Sequence, residues 1–218
     1  MENNVNEVDE VPTVVLTQEQ VEWLDACTKY QFESHRWILN QSTGLVDIVD
    51  GGFNCKGQDL SDFKGISFGY VKTWFNCSNN KLTSLKGAPQ SVGWGFYCSN
   101  NQLTSLEGAP QRFSGDFDCS NNNLINLEGA PESVDHFDCS NNQLTNLNGA
   151  PLDVGGRFDC SHNLITSLVG GPKTIKDDYE INGNGIRVYH YFDCTHNNLT
   201  SLDGAPEKIR EGCFLYKN

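Results

Sequence analysis

Four residue types recur in this chain where chemistry could sit: cysteine, aspartate, serine and histidine. Cys55, Cys77, Cys98, Cys119, Cys139, Cys160 and Cys194 account for seven of the nine cysteines and follow one another at 20–22 residues, save for a gap of 34 before Cys194. A thiol nucleophile or a zinc set needs a few convergent partners, and no Cys-x-x-Cys or clustered His pair has metal-ligand spacing. One position repeated seven times instead reads as a small buried apolar side chain. A ladder of equivalent thiols specifies no unique disulfide pairing, so the cysteines are expected to be free and the compartment reducing. The serine after each central cysteine also merely repeats, with no strained turn to present a nucleophile. No glycine-rich phosphate loop follows a strand and opens a helix. The expectation is a protein without catalytic activity, cofactor or bound metal.

The residues that vary between repeats are better candidates for function. Asp118, Asp138, Asp159 and Asp193 each precede a ladder cysteine, where Asn54, Asn76 and Tyr97 stand in the earlier repeats. In a strand these side chains point away from the core. Neighbouring carboxylates about 5 Å apart repel by roughly 1 kcal/mol in water, so the column points to a cationic partner, against the plain alternative of a solvated face. A divalent cation is a third reading, though the glycine-rich loops of calcium repeats are missing. Two residues before those positions lie Trp74, Gly95, Asp116, His136, Arg157 and Tyr191; after the serine come Asn79, Asn100, Asn121, Asn141, His162 and His196. His136, Arg157, Tyr191, His162 and His196 are therefore expected to converge on a binding patch, since aromatic, Arg and His side chains dominate interface hot spots. Drift from Asn to His at an exposed position is the competing explanation for His162 and His196.

The elements that position these residues follow from the period. Versions of one motif begin at Phe53, Phe75, Phe96, Phe117, Phe137, Phe158 and Phe192, and a period near 20 means a solenoid whose coils bury their apolar edges against one another. In Phe-x-Cys the Phe and Cys face inward. The Asn column (Asn80, Asn101, Asn122, Asn142, Asn163, Asn197) sits where the chain turns, ready to satisfy backbone groups of its own and the adjacent coil. Leu-x-x-Leu returns inward, and Gly-Ala-Pro closes the other side in an extended path with no room for a helix. The fold class is mainly β, a solenoid with short parallel strands on the concave face.

Residues 1–16 carry acids and no base and read as a flexible tail. Residues 17–52 read as an N-terminal cap: Thr17-Gln18-Glu19-Gln20 fits a capping box, Val21, Leu24 and Cys27–Thr28 follow at helical spacing with Trp23 and Tyr30 flanking, and Trp37–Leu39 with Leu45–Val49 form a hairpin. Residues 53–218 make seven coils. One coil is lengthened at 173–191, where Asp177, Asp178, Tyr179, Arg187 and Tyr189 flank an Asn-Gly-Asn-Gly turn and read as a hairpin; insertions of this kind often carry binding. Cys213-Phe214-Leu215 continues the ladder with no visible cap, so the chain is expected to be a monomer or a homodimer paired through that edge.

Val134-x-x-Phe137-x-Cys139-x-x-Asn142-x-Leu144 resembles the leucine-rich repeat, L-x-x-L-x-L-x-x-N-x-L, with Phe and Cys replacing two leucines. The repeat length, and a proline after the last leucine, are similar to the shortest bacterial class, found in secreted effectors. The Phe-x-Cys-Ser-x-Asn and Gly-Ala-Pro wording looks more like repeat proteins encoded by large tailed phages. The resemblance covers roughly residues 17–216 and implies the fold; the ligase domain of the secreted effectors has no counterpart here. Its phage-like wording implies a phage-encoded protein and is nearly silent about function.

A net charge of −13 over 218 residues argues against direct nucleic-acid binding and against an anionic membrane surface. No basic, apolar leader opens the chain and no segment is long enough to span a bilayer, so the bacterial host cytoplasm is the expected location. The leading expectation is a non-catalytic protein-binding module whose acidic face and 173–191 hairpin dock a host protein with a basic surface. Two alternatives stay open: an acidic inhibitor that mimics nucleic acid and counters host defence, and a small-ligand or metal sponge between the hairpin and His162/His196.

Overall fold

The Phe-x-Cys alternation becomes an eight-stranded sheet, all of whose pairs are parallel. The computed structural model describes residues 13–28, 36–113, 115–175 and 191–207 and the backbone of 213–214. Phe53, Phe75, Phe96, Phe117, Phe137, Phe158 and Phe192 pair in register, and Cys213 continues the column. Because the rungs are in register, identical side chains stack. Successive phenylalanine rings lie 5.2–5.7 Å apart, each pair adding about 0.5–1.5 kcal/mol beyond its buried area. Beside them, the described cysteines are buried and free.

The asparagine column does what its position demands. Asn163 Nδ2 donates to the carbonyls of Cys160 (3.1 Å) and of Cys139 one coil earlier (3.1 Å), while its Oδ1 accepts from Leu144 N (3.0 Å). The same three contacts recur at Asn101, Asn122, Asn142 and Asn197. Each amide thus satisfies backbone groups of two coils at once.

A second ladder follows Gly-Ala-Pro, and the repeat pattern alone does not announce it. Ser133–Val134, Asp153–Val154 and Thr174–Ile175 form a three-stranded parallel sheet. Phe68–Val71 and Ser91–Val92 belong to a matching sheet earlier in the chain. The signal was the apolar residue after each proline, which faces inward as Val92, Val134, Val154 and Ile175 do. Gly-Ala-Pro itself is geometrically constrained. Gly129 has φ +92, and a Cβ there would lie 2.6 Å from the Leu106 carbonyl carbon of the coil before.

The N-terminal segment completes both layers. Helix α1 (Gln18–Thr28) opens on the expected capping box, with Thr17 N donating to Gln20 Oε1 (2.9 Å) and Gln20 N to Thr17 Oγ1 (3.2 Å). Strands β1 (Trp37–Leu39) and β2 (Val46–Ile48) form the expected antiparallel hairpin, and β2 also pairs with Phe68–Val71 as a rung of the second ladder. Trp23 does not flank the apolar face as the spacing suggests: it is buried, and its ring packs edge-on against Phe53 at 5.3 Å. The exposed end of the phenylalanine stack needs a wide apolar cover, and the indole supplies it. Its Nε1 donates to Gln58 Oε1 at 2.7 Å, which accounts for glutamine where later coils have asparagine.

The described chain packs from Leu16, which lies against the core; residues 1–12 of the expected tail lie outside the described residues. So do Tyr30 and residues 176–190, which include Asp177, Asp178, Tyr179, Arg187 and Tyr189. Among the described residues no helix is long and apolar enough to cross a membrane.

Candidate functional site

The outer face of the long sheet presents two side chains per rung, and their chemistry changes along the stack. Towards the N-terminus it carries Gly52, Asn54, Trp74, Asn76, Gly95 and Tyr97; further on come Asp116, Asp118, His136, Asp138, Arg157, Asp159, Tyr191 and Asp193. The register therefore aligns the four aspartates as expected.

Each of them also has a local structural role that alternation alone does not reveal. Asp118 Oδ1 accepts from Ser120 N (3.0 Å) and Ser120 Oγ (2.7 Å), and Asp138 and Asp159 repeat both contacts with Ser140 and Ser161. Asp193 accepts from Thr195 N at 2.9 Å. A short acceptor bonding the backbone two residues on stabilises a turn, and Asn76 does the same for Ser78 N at 3.0 Å. The Asn and Asp members of the column thus share an acceptor oxygen, which Tyr97 does without, and the charge is an addition. The serines are buried and committed to these contacts.

Asp138, Asp159, Arg157, His136 and Tyr191 come together. Arg157 Nη2 pairs with Asp159 Oδ2 (2.5 Å) and with Asp138 Oδ2 of the preceding rung (3.1 Å). The guanidinium lies over the Tyr191 ring, 4.9 Å from its centroid, and Arg157 N donates to His136 Nδ1 at 2.7 Å. Burial works against the Arg157 cation, but the hydrogen bond to Asp159 and the two carboxylate charges outweigh it and raise its pKa. Burial also pushes the Asp138 carboxyl above its ordinary value. The sole cation on this described face is thus held by its own neighbours.

His162 and His196 form a separate contact. Their rings stack at 4.0 Å and 9° on an exposed edge. Both sit at left-handed φ, +54 and +55, in the column where Asn79, Asn100, Asn121 and Asn141 have φ between +54 and +57. Asn and His are among the few non-glycine residues that occupy this region readily, so the backbone explains the exchange. Parallel rings do not converge two nitrogens on one ion. Among the described residues no group of three or more His, Cys, Asp or Glu is placed to hold a metal.

Sequence reasoning passed over Trp94, which is 67% exposed at the corner before Gly95. An isolated tryptophan outside the repeat columns gives no periodic signal. Tyr97 interrupts the Asn/Asp column. Its ring folds back over Gly95, where a Cβ would lie 2.8 Å from the tyrosine hydroxyl, and that hydroxyl reaches Asp116 Oδ2 at 3.5 Å. Burial, followed by the charges of Asp135 and Asp118, raises the Asp116 pKa despite the opposing influence of His136.

No family model matches the chain, and no curated protein matches it. Among solved structures it is similar to YopM from Yersinia enterocolitica WA-314, with 19% identity and a TM-score of 0.46 over 67% of this chain. The aligned part is 35% of that protein, so the chain spans about a third of its neighbour's length.

Proposed function

We propose that this protein is a non-catalytic binding module that docks the basic surface of a partner protein on the outer face of its long sheet. The observation that carries the reading is where the repeats differ. Core Phe, Cys, Leu and Asn positions are nearly constant, whereas the outward positions change from aromatic and amide to acidic side chains over one continuous face. Carboxylates so placed steer a basic surface and select against an acidic one. The absence of a catalytic role is supported by chemistry: burial raises the ladder thiols well above their ordinary pKa, which disfavours the thiolate, and the central serines donate to aspartates. The repeat wording supports a phage-encoded protein acting on a host protein in the bacterial cytoplasm, and the 173–191 insertion is a further candidate for contact.

The test must remove charge without removing the turns. Reversing Asp138, Asp159 and Asp193 to lysine would delete three acceptors and leave Arg157 facing new cations. Asparagine keeps the acceptor, as Asn76 demonstrates. In a pull-down from bacterial lysate, the Asp118→Asn/Asp138→Asn/Asp193→Asn variant should lose a partner that the parent retains. Retention at equal yield would refute the reading. Competition for that partner by added DNA or RNA would favour the nucleic-acid-mimicking inhibitor instead.

A further inference from the structure

We infer that the outer face contains a seat for one arginine side chain of the partner, formed by Gly95, Tyr97, Asp116 and Asp118. The inference rests on the protein-binding reading above and adds the chemistry of one contact. Its ingredients, an aromatic ring and two carboxylates around a guanidinium, already occur within the chain, although there the carboxylates come from two rungs and not one. Arg157 is held by an aromatic ring on one side and by carboxylates of two rungs on the other. Gly95 occupies the column of Arg157 nearer the N-terminus, because the register runs Gly95, Asp116, His136 and then, two residues before Asp159, Arg157. Glycine leaves that rung without a side chain, and the Tyr97 ring covers the space. The next rung places Asp116 beside Gly95 and Asp118 beside Tyr97. The Tyr97 ring fills the space above Gly95, and its solvent side, flanked by the two carboxylates of the next rung, carries no paired Lys or Arg among the described residues.

The carboxylates have capacity to spare. Ser120 uses only Oδ1 of Asp118, and among the described residues no Lys or Arg forms a salt bridge with Asp116 or Asp118. The nearby base is His136, whose Nδ1 accepts from Arg157 N. A guanidinium suits this arrangement better than an ammonium, since its plane stacks on a ring while its fork pairs with carboxylates. The chain's −13 charge favours a basic partner over an acidic one.

The probe is the tripeptide acetyl-Gly-Arg-Gly-amide, titrated into the intact protein and followed by amide chemical shifts, with the lysine tripeptide as comparison. Shifts should centre on residues 95–97 and 116–118, with arginine binding more tightly than lysine. Tyr97→Ala should weaken binding about three- to fivefold, the weight of an exposed cation–π contact, while Tyr97→Phe stays near the parent. Gly95→Arg should displace the Tyr97 ring, the group nearest a Cβ there, and abolish binding; Gly95 has an ordinary φ. Unchanged spectra away from the seat certify that each variant is folded. Shifts centred on other outer-face residues, or equal binding by Tyr97→Ala, would overturn the seat while leaving the protein-binding reading to the pull-down. No shift on the outer face at all would overturn the seat, and loss of the pull-down partner's charge dependence would separately overturn the reading.

Discussion

The outward aspartates serve two ends through two oxygens. One oxygen closes the turn after the strand, and the other meets solvent or, at Asp138 and Asp159, Arg157. Burial makes part of this face costly in the free protein, and Asp116 gives the clearest test. Its folded pKa is raised above the ordinary value, first by burial, so the folded chain binds that proton more tightly than the unfolded chain does. The group therefore adds stability as pH falls from its raised value towards the ordinary one, and withholds it at neutral pH. Asp116→Asn should raise Tm at pH 7, with the gain shrinking as pH falls from the raised value to the ordinary carboxylate range and gone below it; thermal melts across that window check the sign. How much of this could be read beforehand differs by residue. Outward placement of Asp118 and Asp138 follows from Phe-x-Cys alternation. The bond to the amide two residues on does not, because a solvated aspartate and a turn-closing one look alike in sequence. His162 and His196 read as members of a binding patch, yet their shared left-handed backbone is the simpler cause.

The ladders convert single residues into columns, and a change in one coil is felt in the next. Asn163→Leu would leave the carbonyls of Cys139 and Cys160 and the amide of Leu144 without their partner. The expected loss is about 1–3 kcal/mol per unsatisfied buried group, measured by urea unfolding, and Asn122→Leu should behave alike. Gly129→Ala should also destabilise, by about 1–3 kcal/mol from strain at a positive φ, because its Cβ would crowd the Leu106–Glu107 backbone; a loss confined to less than the scatter of the melts would contradict this. The main ladder was legible because its period is exact in side-chain type. The second ladder was less so, since two-residue strands of Ser-Val or Asp-Val carry no alternation to detect. The helix boundary followed from its capping box, but the burial of Trp23 depended on the end of the phenylalanine stack, a tertiary requirement that helical spacing cannot express.

As a whole, the molecule separates what holds it together from what it shows to others. Phenylalanine, cysteine, leucine and asparagine columns build a parallel β solenoid closed at its first coil by helix α1 and strands β1 and β2. The outer face of the long sheet carries the variation, and the proposed function places the partner there. Site-specific photo-cross-linking tests that placement most directly. A benzoylphenylalanine replacing Asn76, on the outer face, is compared in bacterial lysate with one replacing the exposed Glu107, on the turn before Gly-Ala-Pro. A partner adduct from position 76 and none from position 107 is the expected result. Adducts from position 107 alone, or equally from both, would contradict docking on the outer face.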